Sequence, residues 1–164
     1  MDFSTGSLGQ GLSVGLGMAE ALRAARRRVW VILGDGECQE GQIWEAATLA
    51  SIRGLTNLVA IIDHNRFQEW GWSSESHQAP LPNIAARWAA FGWRVLECDG
   101  HDFESIDQAM RNAVSGTDSP TVIVAHTIKG KGVPLIERDP IRFHCETVTD
   151  AEHDALLLNL GVPA

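Results

Sequence analysis

Apolar residues follow two rhythms along this chain. Four short runs, 29–33 (VWVIL), 58–62 (LVAII), 93–98 (WRVLEC) and 120–125 (PTVIVA), are continuous or alternating. Runs of that length, rich in Val and Ile, predict strands, and the continuous ones predict strands buried on both faces. Elsewhere the apolar positions recur at helical spacing. Leu8, Leu12, Gly15, Met18, Ala19 and Leu22 predict a glycine-rich helix over 7–23, and a second helix spans 42–52. Ile84, Trp88 and Phe91 predict a helix opened by Pro82-Asn83 and stopped by Gly92. Phe103, Ile106, Met110 and Val114 fall in phase within a helix over 102–114, and a last helix covers 150–160, ended by Gly161. Strand and helix alternate throughout. The expected fold is therefore α/β, a doubly wound parallel sheet forming one domain over residues 1–164.

Parallel strands joined by right-handed crossovers bring their carboxyl ends to one edge of the sheet, where open α/β folds bind ligands. Two polar segments lie there: Gly34-Asp35-Gly36-Glu37 after the first strand, and Asp63-His64-Asn65-Arg66-Phe67 after the second. A carboxylate and a carboxamide offer hard oxygen donors, and magnesium takes oxygen ligands from one or two carboxylates together with substrate phosphates. Glycines on either side of Asp35 allow a diphosphate to approach the backbone. Taken alone, Gly-Asp-Gly reads as a tight turn capped by an aspartate. Asn65 at the matching place on the next strand favours the metal.

These residues resemble a known family. Gly-Asp-Gly followed at this distance by an asparagine is similar to the thiamine diphosphate motif. TGSLGQGLS at 5–13, GDGECQEGQIWEA at 34–46 and AHTIKGKGV at 125–133 resemble the amino-terminal, diphosphate-binding half of a transketolase, of the kind encoded as a split subunit. The resemblance covers almost the whole chain. It implies the thiamin diphosphate-binding fold without the family's usual amino-terminal segment, since Met1 directly precedes the first motif. It also implies thiamine diphosphate and Mg2+ as cofactors, with Asp35, Asn65 and the Phe67 carbonyl as metal ligands. Gly6, Leu8, Gly34, Asp35, Gly36, Glu37, Asn65, Lys129 and His144 would contact the cofactor.

By the same resemblance Glu40, Glu45 and His144 would serve catalysis. Glu40 and Glu45 would both face the subunit interface near the cofactor, Glu40 joining an acidic network between active sites, and His144 would lie near the diphosphate and substrate. Read without the family, Glu40 and Glu45 are surface charges at a helix amino-terminus, and the Lys-Gly-Lys-Gly stretch with Lys129 is a basic solvated loop. Where related subunits carry Trp-His-Gly, this chain has Phe143-His144-Cys145. The glutamate that acts on the cofactor's pyrimidine ring has no counterpart here. A partner subunit carrying the pyrimidine-binding half is implied, within a homo- or hetero-oligomer acting on phosphorylated or free sugars. The reaction would move a two-carbon ketol unit from a ketose to an aldehyde. Two alternatives stay open: a subunit of a 2-oxoacid dehydrogenase or deoxyxylulose synthase, and a non-catalytic scaffold.

Other features change the picture less. Trp70 and Trp72 sit in a turn-rich stretch, 66–81, and suggest an interface. Asp99-Gly100-His101-Asp102 reads as a cap and turn rather than a metal cluster. Arg23, Arg26, Arg27 and Arg28 read as a solvated helix end. Net charge is −8, which disfavours nucleic-acid binding and leaves an anionic ligand in need of local counter-charge. No run approaches the ~20 apolar residues of a membrane span, and no leader opens the chain. Cys38, Cys98 and Cys145 are too scattered for a disulfide framework. A cytoplasmic location is expected.

Overall fold

A computed structural model describes residues 2–68, 81–115 and 118–160. In chain order the elements are α1 (Gln10–Leu22), β1 (Val29–Gly34), α2 (Gly41–Ile52), β2 (Leu58–His64), α3 (Ile84–Ala90), β3 (Arg94–Asp99), α4 (Phe103–Ser115), β4 (Thr121–His126), α5 (Pro134–Arg138), α6 (Arg142–Cys145) and α7 (Asp150–Asn159). The four strands form one sheet in the order β1-β2-β4-β3, and every pair is parallel. Gly34 lies opposite Asp63, and His64 and Asp99 both lie opposite His126. All four strands thus end at one rim. The predicted Gly161 stop and the Trp70 and Trp72 turn lie outside the described residues.

Helices cover both faces, as a doubly wound sheet requires. On one face α1, α2 and α3 bury Leu12, Ala19, Ile43, Ala47, Ala50, Ile84 and Trp88 against Val31, Leu33, Leu58, Ile62 and Val124. Trp88 is the largest fully buried side chain, and the Trp93 indole beside it donates to the Ala47 carbonyl at 2.9 Å. Asn57 fastens the end of α1 to the sheet, because its Nδ2 donates to the Ala19 carbonyl at 2.8 Å and the Arg27 carbonyl at 3.0 Å. On the other face α4 packs Ala109 and Ala113 onto Val59, Cys98 and Ile123. Among the described residues no helix is long and apolar enough to cross a membrane.

Two expectations need correction. β1 is not buried on both faces: Val29, Val31 and Leu33 point into the core, while Ile32 is 75% exposed. β1 is an edge strand, and α4 packs on the second face against residues of β2, β3 and β4. The buried stripe of α4 is also rotated from the expected one. Phe103 is 88% exposed, and the contact runs through Ala109, Ala113 and the partly buried Ile106. Small residues let the helix approach the strands closely, and alanine carries little weight in a hydrophobic pattern. Smaller differences sit at element ends. α1 begins at Gln10 because Gly9 takes the left-handed φ of 85°. Arg23 and Arg28 bind the carbonyls of Gly54 and Thr56 rather than capping the helix by charge alone.

The glycines of α1 divide into two kinds. A Cβ on Gly15 would stand 2.4 Å from Val31 Cγ2, whereas one on Gly17 would meet nothing within 4 Å. Gly15→Ala is expected to destabilise the fold by about 1–2 kcal/mol through overpacking against the sheet. Gly17→Ala should stabilise it by roughly 0.5–1 kcal/mol from helix propensity. Urea denaturation of both variants tests the close approach, and a stabilised Gly15→Ala would refute it.

Candidate active site

The rim at the strand ends is organised around Asp35. Its side chain is only 2% exposed. It follows directly from β1, and the chain then turns through Glu37–Gln39 into α2. Asp35 Oδ1 accepts the Gly36 amide at 2.8 Å. Its Oδ2 accepts the Arg66 amide at 2.5 Å and lies 3.2 Å from His64 Nδ1. The loop after β2 is thus bonded directly to the carboxylate after β1, as the parallel register requires. Arg66 stands between Asn65 and Phe67, so this single bond brings both of those residues to Asp35. Asn65 Oδ1 accepts the Phe67 amide at 2.9 Å, and its Nδ2 donates to Asp63 Oδ2 at 3.1 Å. Thr127, at the tip of β4, donates to the other Asp63 oxygen.

Burial dominates the electrostatics of Asp35. Loss of hydration pushes its carboxyl above the ordinary value, against the opposing pull of two amides and the His64 ring. Cys38 is pushed up to about 12 by burial, with Glu37 and Asp35 adding to the effect. Its thiol stays protonated at neutral pH and is no nucleophile.

A cavity of about 680 Å³ opens in front of these tips. Asn65, Arg66 and Phe67 form one wall, and His126, Thr127, Ile128, Lys129 and Lys131 form another. Asp99 and His101 contribute from the tip of β3, with Glu137 and Pro140 beyond. Of the residues expected at the site, Asn65, Phe67 and Lys129 share this cavity, with Asp35 buried behind Arg66. His144 lies on α6, half-buried and away from the cavity lining. Glu40 precedes α2 and Glu45 lies on it, both exposed.

The remaining expected residues lie before α1 and around the turn after β1. Glu37 Oε1 accepts the Gly9 amide at 2.8 Å and Oε2 accepts the Gly34 amide at 3.0 Å, so its carboxylate holds the turn together. Leu8 is exposed, and its carbonyl accepts Gln42 Nε2 at 2.8 Å. A Cβ on Gly36 would stand 2.9 Å from the Gln68 side chain, whereas Gly6 is open.

Sequence reasoning missed His64, Arg66, His126 and Thr127, and it assigned 99–102 to a cap alone. The cap is present: Asp99 Oδ1 accepts the His101 amide and Asp102 Oδ1 accepts the Glu104 amide. The same turn also reaches the cavity, where His101 Nε2 accepts the Ile128 amide at 2.7 Å. The available signal was positional, because each of these residues lies within four positions after the end of a predicted parallel strand.

The carboxylate of Asp35, the carboxamide of Asn65 and the carbonyl of Phe67 are all oxygen donors, of the kind a hard cation takes. A carboxylate has about four acceptor positions, and the three contacts on Asp35 leave room for one more.

Two outcomes follow from this geometry. Glu37→Ala strands two amides and is expected to cost about 2 kcal/mol, with Glu37→Gln milder. Chemical denaturation measures both, and a loss under about 0.5 kcal/mol would remove Glu37 from this role. Asp35 makes the fold sensitive to pH. A carboxyl raised in the fold keeps a proton that the unfolded chain releases, so its contribution to stability falls as pH climbs above the ordinary 3.8. Asp35→Asn removes that titration. The stability difference should therefore move in favour of the variant as pH rises from 3.8 towards neutrality. Parallel pH–stability curves would contradict the shift.

Comparison with known proteins places this arrangement. The family profile described as transketolase, thiamine diphosphate binding domain, matches residues 1–163. Transketolase-like protein 2 of Bos taurus is 41% identical over 160 residues, covering 96% of this chain and 25% of its own length. The 6-deoxy-6-sulfo-D-fructose transketolase subunit SqwG of a Clostridium species is 42% identical over 139 residues, covering 84% of this chain and 50% of its own. The crystal structure of transketolase from Campylobacter jejuni superposes with a TM-score of 0.82 at 29% identity, over 97% of this chain and 26% of that one. The chain thus spans a quarter to a half of the relatives it matches. With its parallel sheet, its Asp35–Asn65 rim and a family match over nearly every residue, the chain belongs to the transketolase family as a thiamine diphosphate binding domain.

Proposed function

We propose that the chain is the diphosphate- and magnesium-binding subunit of a transketolase-type enzyme, moving a two-carbon ketol unit from a ketose to an aldehyde. The observation that carries this reading is Asp35. A carboxylate so deeply buried, whose desolvation outweighs its hydrogen bonds, favours a nearby cation. Asp35, Asn65 and the Phe67 carbonyl would hold Mg2+, and the glycine turn around Gly34 and Gly36 would lie along the diphosphate. Lys129 would add positive charge from the β4 loop. The cofactor, when bound, supplies the carbon nucleophile. The chain's own residues orient its phosphates and fix the register of the two loops.

Partner dependence is part of the same reading. The relative from Clostridium is named as one subunit of its transketolase and matches this chain over half its length. A pyrimidine-binding partner subunit would complete the site. Glu40 and Glu45, exposed at the start of α2, would face it, and His144 would approach the substrate. The exposed Ile32 and Phe103 give the chain apolar surface for such association.

Calorimetric titration of thiamine diphosphate with Mg2+ and with EDTA tests the metal. Binding should need Mg2+, and Asp35→Ala or Asn65→Ala should weaken it by about a hundredfold, the scale of losing one ligand's ~3 kcal/mol. Ketol transfer should appear only when a pyrimidine-half subunit is added. Metal-independent binding, or turnover by the pure chain, would overturn the proposal.

A further inference from the structure

Arg66 holds a backbone conformation that disfavours any side chain, with φ of 70°. Among the described residues two other non-glycine positions share that region. Asn83 (φ 56°) is a residue type that tolerates it. Arg26 (φ 54°) closes the turn after α1, where left-handed residues commonly end helices. Arg66 has neither excuse. Glycine would adopt the same backbone without strain and present the same amide to Asp35. The amide therefore explains the conformation and leaves the side chain unexplained. A costly conformation kept beside a site points to a role for the group that makes it costly.

The side chain lines the cavity together with Lys129 and Lys131. Among the described residues none pairs with the charged ends of these three side chains. The carboxylates nearby are engaged by backbone: Asp99 by the His101 amide and Glu137 by the Gly132 amide at 2.7 Å. Three uncommitted cations thus border one cavity in a chain of net charge −8. A guanidinium also brings a planar fork matched to phosphate oxygens, which an ammonium lacks.

We propose that the Arg66 guanidinium binds a phosphate group in this cavity, with Lys129 and Lys131 as added counter-charge. The inference rests on the reading of the cavity as a cofactor and sugar site, since the phosphate belongs either to the diphosphate or to a sugar ester.

The test uses the full chain and two phosphate probes, pyrophosphate with Mg2+ and ribose 5-phosphate, with ribose as the uncharged control. Arg66→Gly should weaken at least one phosphate probe by about tenfold, as expected for a lost charge-assisted contact. Arg66→Lys should fall between, keeping charge without the fork. Arg111→Gln removes a positive charge on α4, already paired with Asp107, and should change binding by less than about twofold. The probe that weakens names the source of the phosphate. Because glycine suits this backbone, Arg66→Gly should melt no more than about 3 °C below the wild type, which separates lost binding from lost folding. Unchanged binding of both phosphate probes by a folded Arg66→Gly, an equal loss in Arg111→Gln, or a wild type that binds neither probe would overturn the proposal. A wild type that binds ribose 5-phosphate but no thiamine diphosphate would sink the cofactor reading and leave the Arg66 assignment standing.

Discussion

The bond between the Arg66 amide and the Asp35 carboxylate joins the loops that follow two neighbouring strands. Its existence depends on β1 and β2 being parallel and in register to their last residues. An antiparallel pair would send the two loops to opposite rims. The crossover through α2 therefore does more than fill one face of the sheet. It delivers Asp35 and Asn65 to the same rim and buries the carboxylate where its charge is most costly.

That cost organises the surroundings. Asp35 gathers the Gly36 amide, the Arg66 amide and the His64 ring. Asp63, one strand over, gathers Asn65 and Thr127, so the tips of β2 and β4 are stitched by a second carboxylate. Between them the two aspartates fix three loops around one cavity, with the Asp35 carboxylate buried and Arg66, Lys129 and Lys131 on the cavity wall. A negatively charged ligand bridged by a cation would complete this separation of charge.

The fold was largely legible because its core follows simple periods. The runs at 58–62 and 120–125 are apolar but for Thr121 and lie at the centre of the sheet, largely buried on both faces. The run at 29–33 looks the same in sequence yet lies at the edge, since strand order is a tertiary property that no local pattern carries. The helix over 102–114 was found, but its buried face was set by alanines, which pack through backbone proximity rather than hydrophobic bulk. At the rim, the nearness of Asp35 to Asn65 and Phe67 follows from topology plus a motif. The tie that Glu37 makes to Gly9 could not be read from sequence, because it spans the chain from the start of α1 to the turn after β1. His64 and Arg66 were hidden for a related reason. Their significance comes from what a neighbouring strand presents to them.

The Glu37 tether has a mechanical corollary. One carboxylate grips the amide before α1 with one oxygen and the last amide of β1 with the other. The glycine-rich entrance and the acidic turn are therefore tied to each other through one side chain. Swinging the entrance outward tugs on Gly34, the residue that sets where Asp35 begins. Damage at the start of α1 would accordingly register as a fault at the Asp35 rim, transmitted through the two oxygens of one side chain.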